Sequence, residues 1–91
     1  MELIGKLYGV KEARQGVGRE SGKPWVSQDF ELLIKNRNKE EVIVLNAWGA
    51  TCDQLGKVQV GQLIKVELIV HGEEYNGKRY NRLEASFIDT I

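Results

Sequence analysis

The chain is sparing with the residues that carry covalent and metal chemistry, holding one cysteine, one histidine and one proline among 91 residues. A lone Cys52 cannot close an internal disulfide, which agrees with a reducing compartment. His71 has no carboxylate or cysteine near it in metal-ligand spacing, so it reads as a satisfied strand residue and no metal is expected. No phosphate-binding loop, zinc motif or nucleophile elbow occurs, so neither catalysis nor a cofactor is expected. Long apolar runs are missing as well: none approaches the roughly 20 residues a spanning helix needs. The start Met1-Glu2-Leu3-Ile4-Gly5-Lys6 lacks the basic and apolar regions of a signal peptide, which points to the cytoplasm and away from a membrane. Finally, there is no net charge. Thirteen basic residues balance thirteen acidic ones, which excludes a surface that is one large anion trap.

What is present is an ordinary globular composition, 42% apolar and 29% charged, sized for one domain over residues 1–91. The apolar pattern alternates with period two in five segments and has almost no helical period, so the chain reads as all-β. The first strand covers about Glu2 to Lys11, where Gly5 and Gly9 mark a bulge or corner. Arg14 to Pro24, with three glycines and the only proline, reads as a long mobile loop. A second strand, about Trp25 to Lys35, turns Val26, Gln28, Phe30, Leu32 and Ile34 inward. It leaves Trp25, Ser27, Asp29, Glu31 and Leu33 outward. A turn at Asn36-Arg37-Asn38-Lys39-Glu40 leads into a third strand, Glu41 to Gly49. There Ile43, Leu45 and Ala47 face in while Val42, Val44, Asn46 and Trp48 face out.

Thr51-Cys52-Asp53-Gln54 has capping-box spacing, and Gly56 stops the helix it predicts after little more than a turn. Cys52 stands near that helix start, where a thiol pKa can fall, but it is read as packing. Two last strands, about Gln62 to Glu74 and Lys78 to Asp89, flank Asn76-Gly77, the strongest short-range hairpin signal available. Five strands, a long first loop, a short helix between strands three and four and a closing hairpin are the element order of an OB-fold, a five-stranded Greek-key barrel. Its binding groove lies on strands two and three, between the loops joining strands one to two and four to five. From Lys11 to Trp25 four basic residues stand against two acidic, and from Glu73 to Arg82 three against two. Both surpluses therefore fall on the groove loops, and both are modest, so any nucleic-acid affinity should be moderate and salt-sensitive.

Several segments resemble the bacterial single-stranded DNA-binding protein family. Leu3-Ile4-Gly5-Lys6-Leu7 is similar to its opening strand, and Val42 to Gly49 to its third strand ending in an aromatic residue and glycine. Leu55 to Gln62 resembles its run from short helix through a glycine turn. Tyr75 to Ala85 resembles its last hairpin, though shorter. The whole pattern is closer still to small uncharacterised bacterial OB-fold proteins that share segments of the type P-W-x-x-Q-x-F and E-Y-N-G-K-x-Y. The resemblance implies binding of single-stranded DNA, with RNA as the alternative, by a homo-oligomer with little sequence preference. In that family a disordered tail with an acidic, partner-binding tip usually follows the barrel; this sequence stops at Ile91, so recruitment by such a tail is not expected.

The candidate site follows from residue type and place. Trp25, Trp48, Tyr75 and Tyr80 offer faces on which unpaired bases stack, and Arg14, Arg19, Lys23, Lys78, Arg79 and Arg82 offer charge to phosphates. Outward Asp29 and Glu31 repel phosphates, and outward Val42, Val44 and Trp48 make an apolar face. Those features support the rival reading, a protein-interaction module with a subunit or partner interface there.

Overall fold

The computed structural model describes residues Met1–Ile91. The elements are β1 (Glu2–Val10), β2 (Arg14–Val17), β3 (Pro24–Asn36), β4 (Lys39–Trp48), α1 (Ala50–Leu55), β5 (Leu63–Tyr75) and β6 (Lys78–Thr90). The strands form one sheet in the order β1-β5-β6-β4-β3-β2, and an additional β1–β3 pairing brings the sheet back onto itself. β1 serves two neighbours by bending: Glu2–Lys6 pair with β5, Lys6–Val10 with β3, and the register shifts between Leu7 and Gly9. Gly5 makes the corner workable, because a Cβ there would lie 2.5 Å from the Leu33 carbonyl oxygen. The interior glycines of β1 thus mark a bend, as expected. β4 and β6 meet in a short parallel pairing, Asn46 with Glu84 and Ala47 with Ala85.

One cluster of eleven buried apolar residues forms the core, ten of them from the strands and the eleventh, Leu55, from α1. Phe30 and Leu32 come from β3, Leu45 and Ala47 from β4, and Ile64, Val66 and Leu68 from β5. These are the faces the alternation predicts. Ser27 is the exception on β3: expected outward, it is buried, because it lies opposite Trp48 in register and accepts a hydrogen bond from the Asn46 amide. Asn76 and Gly77 both have positive φ, 51° and 77°, the signature of a type I′ turn. No helix is long and apolar enough to cross a membrane.

Two expectations need correction. Arg14 to Pro24 is not one long loop: Arg14–Val17 form a sixth strand, paired with Pro24–Ser27. Pro24 is the first residue of its strand, where a missing N–H does little harm. The glycines shape a tight tip instead of loosening the segment. Gly22 takes φ 65°, and the Gly18 amide donates to the Lys23 carbonyl at 2.8 Å.

The capping box does not form either. Gly49, at φ 54°, is the N-cap of α1 and no side chain caps the helix, while Thr51 is buried within its first turn. A left-handed residue is needed to turn the chain out of β4, and glycine adopts that conformation without strain. The Gln54 side chain accepts from the Ile88 amide at 2.8 Å, so it ties α1 to β6. Helix α1 does end before Gly56, but that glycine stays right-handed at φ −65°.

Candidate nucleic-acid interface

The outward faces of β3 and β4 and the base of the β5–β6 hairpin enclose a groove of about 460 Å³. Register explains who meets there. Ser27 lies opposite Trp48 and Asp29 opposite Asn46, so polar and aromatic groups alternate across the two strands. Trp25 and Trp48 come together at one end, with ring centroids 5.6 Å apart and planes tilted by 43°. They remain 39% and 45% exposed, which leaves aromatic surface open to a ligand. Gly16 on β2 allows Trp25 to lie flat over the hairpin, since a Cβ on Gly16 would meet the indole at 2.8 Å.

Of the predicted site residues, Arg14, Trp25, Trp48 and Arg82 line this groove. Arg19 and Lys23 stand on the exposed β2–β3 tip, and Tyr75, Lys78, Arg79 and Tyr80 on the exposed β5–β6 tip. Tyr75 is 70% exposed and Tyr80 52%, so in the free protein the tyrosines flank the groove without lining it.

The cations divide into two sets. Arg14 Nη2 sits 3.4 Å from Asp29 Oδ2, Arg79 Nη2 3.6 Å from Glu74 Oε2, and Arg82 Nε 2.7 Å from Glu73 Oε1. Glu31, the other outward acid of β3, is paired at 3.6 Å with Lys11. Arg19, Lys23 and Lys78 have no ion-pair partner, and all three are at tips.

Sequence reasoning missed the groove floor. Asn46 is only 8% exposed; its Nδ2 donates to Asp29 Oδ1 at 2.7 Å and to Ser27 Oγ at 3.0 Å. The signal was there, as one amide interrupting the apolar run Val42-Ile43-Val44-Leu45-Asn46-Ala47-Trp48. Outside the groove, His71 Nε2 meets Glu84 Oε1 at 2.8 Å, as a satisfied strand histidine should. Burial, and then the charge of Asp53, push the Cys52 thiol above its ordinary pKa. The lowering that a helix start can produce is therefore overridden. Cys52 Sγ packs against the Ala47 carbonyl at 3.3 Å.

A family model described as a domain of unknown function (DUF3127) matches residues 2–88, and the chain belongs to that family. No curated protein matches it in sequence. Among solved structures, the N-terminal domain of PriB protein from Thermoanaerobacter tencongensis, described as dimeric, superposes with TM-score 0.67 at 15% identity. That match covers 100% of this chain and 93% of the other. The single-stranded DNA-binding protein of Thermus aquaticus gives 0.65 at 19% identity over 99% of this chain, which spans 48% of that protein. A small single-stranded DNA-binding protein from Streptomyces coelicolor gives 0.50 at 14% identity, covering 100% and 92%. Likeness at these identities establishes the fold, and it is the expected OB-fold.

Proposed function

We propose that this DUF3127 protein binds single-stranded nucleic acid, DNA ahead of RNA, as a non-enzymatic, one-domain homo-oligomer in the cytoplasm. One observation carries the reading: the exposed Trp25–Trp48 pair at the end of a groove whose two bordering tips hold the unpaired cations Arg19, Lys23 and Lys78. Stacking needs no particular base, because every base has a π-face, so preference for sequence is low. Tyr75 and Tyr80 extend the stacking path for strands long enough to reach the β5–β6 tip. Arg14, Arg79 and Arg82 join the phosphate contacts where a strand displaces their carboxylate partners. The preference for DNA and the oligomeric state draw support from proteins of the same fold described as single-stranded DNA-binding and, for the PriB domain, as dimeric. Linking sites also raises avidity where one small groove binds modestly.

Tryptophan fluorescence tests the reading. Oligo-dT at micromolar concentration should quench it in low salt. With three free cations and a slope of about −0.7 per phosphate on single strands, log K should fall with log salt at about −2. No quenching overturns nucleic-acid binding; a slope near zero overturns the phosphate role. Oligo-dU should outcompete oligo-rU, which differs from it by the 2′-hydroxyl. The reverse order overturns the DNA preference.

A second reading rests on Val42 and Val44, 41% and 55% exposed beside Trp48 on β4. It makes this face a subunit or partner interface. Sedimentation then shows an assembly that Trp48→Ala dissociates, whereas the groove reading keeps the assembly and loses the ligand.

A further inference from the structure

The groove floor contains a carboxylate where a polyanion site would gain from having none. Asp29 lies two residues along β3 from Ser27, the cross-strand neighbour of Trp48, or about 7 Å at the usual rise of an extended strand. Its orientation is built. Asn46 Nδ2 holds Asp29 Oδ1 at 2.7 Å, and Ser27, itself buried, takes the other amide proton. A flipped amide would set two oxygens against each other, so the carboxylate dictates the amide's direction. The arrangement leaves Asn46 Oδ1 buried without a partner. Orphaning a buried acceptor is destabilising, and what it achieves here is to hold one face of Asp29 still. The other face is open: Oδ2 has only Arg14 Nη2 at 3.4 Å, on an exposed side chain.

That open face is an acceptor fork with a mobile donor beside it. Among the bases, guanine alone presents two adjacent donors, N1–H and the N2 amine, followed by an acceptor, O6, along its Watson–Crick edge. Adenine and cytosine each place a ring acceptor beside their single amine, and thymine flanks its one donor with two acceptors. A carboxylate, which only accepts, fits the two guanine donors bidentately, and arginine fits O6. Building on the groove as a single-strand site, we propose that Asp29 and Arg14 read the Watson–Crick edge of one unpaired guanine stacked beside Trp48. Sequence preference is then low along the strand and marked at this position. The weak Arg14–Asp29 pair is the resting state that guanine replaces.

The test uses oligo-dT carrying one central substitution, so that no quadruplex forms. Guanine in place of thymine should tighten binding about tenfold, the lower range for one bidentate contact, and hypoxanthine, which lacks the N2 amine, should lose most of the gain. Asp29→Asn is isosteric and keeps the acceptor for Asn46. It should bind plain oligo-dT at least as well as the parent and lose the guanine gain. Asn46→Ala, a positioning change, should lower the guanine-to-thymine ratio while plain oligo-dT binding persists. Equal binding of guanine and thymine oligomers by the parent, with quenching intact, overturns the guanine subsite and leaves single-strand binding standing. Undiminished discrimination in Asp29→Asn overturns it too. Failure of every oligomer to bind overturns both.

Discussion

Two hairpins border the groove, and they are held in opposite ways. The β2–β3 hairpin is tied to its surroundings along its base: Trp25 packs on Trp48 of β4, the Gly49 amide donates to the Val26 carbonyl, and Gln28 Nε2 donates to the Lys11 carbonyl. The β5–β6 hairpin leaves the core after Leu68 and Ala85, the last of its buried residues toward the tip. Leu83 still packs against the core and Glu84 still pairs with Asn46 of β4; beyond those two residues its fastenings are internal. His71–Glu84, Glu73–Arg82 and Glu74–Arg79 all run from β5 to β6. One border is thus a wall and the other an arm, although both looked alike as basic, aromatic-bearing turns. Pre-set aromatic surface belongs to the wall. The arm offers reach, with Tyr75 and Tyr80 ordered only by their own two strands.

The most severe way to break this contrast is Trp48→Ala, which removes the wall's stacking surface and the partner of Trp25. Stacking is worth about 1 to 3 kcal/mol per base, so oligo-dT affinity should fall by about tenfold or more in a titration followed by the remaining Trp25 fluorescence. An unchanged affinity would place the binding surface elsewhere. Next is Gly16→Ala. A Cβ there meets the Trp25 indole at 2.8 and 2.9 Å, so the ring must shift. Overpacking typically costs about 1 to 3 kcal/mol in a core, and this half-exposed site should sit near the bottom of that range. Affinity should drop several-fold, with a visible change in near-ultraviolet dichroism from the altered Trp25–Trp48 geometry.

Legibility in the sequence followed the same division. The arm was readable, because Asn76-Gly77 fixes a two-residue turn between two segments that read as strands; the register shift between Glu67 and Leu68 was not. The closed sheet and the inward faces of β3 and β4 were readable from period two, and Gly5 from its place in β1. The wall was not. Gly16, Gly18 and Gly22 read as a mobile loop, yet one makes room for an indole and the others form a tip, distinctions that depend on what lies across the strand. The start of α1 was misread for a related reason, since the Thr51 to Gln54 spacing is local while the turn at Gly49 answers to the direction of β4. Asn46 and Ser27 show where single-strand patterning ends: their importance comes from register, which sets Asp29 opposite Asn46.

Replacing Tyr75 and Tyr80 together by alanine sharpens the contrast from the other side. If the arm supplies reach and the wall supplies the base site, an oligomer just long enough for the groove should bind within about threefold of the parent. A longer one should lose at least about fivefold, the value of a single lost stack of about 1 kcal/mol at the lower end, and more where both rings are used. Equal loss at both lengths would mean that the arm closes over the groove.

Gly72→Ala gives the smallest effect and isolates the arm most cleanly. Gly72 lies on β5 opposite Asn81, and an added Cβ finds nothing within 4 Å. Its φ lies outside the left-handed region, so alanine adopts the conformation without strain. Such a change narrows the unfolded ensemble and stabilises by about 0.4 to 1 kcal/mol where the site is compatible. In the outer part of a hairpin, fastened only to itself, that gain should appear locally: slower amide exchange from His71 to Asn81, with little change in melting temperature or oligo-dT affinity. The same one-methyl addition at Gly16 acts on ligand binding through Trp25. Slower exchange spreading from Gly72→Ala into β3 and β4 would show that the arm unfolds together with the barrel, and the wall-and-arm distinction would not hold.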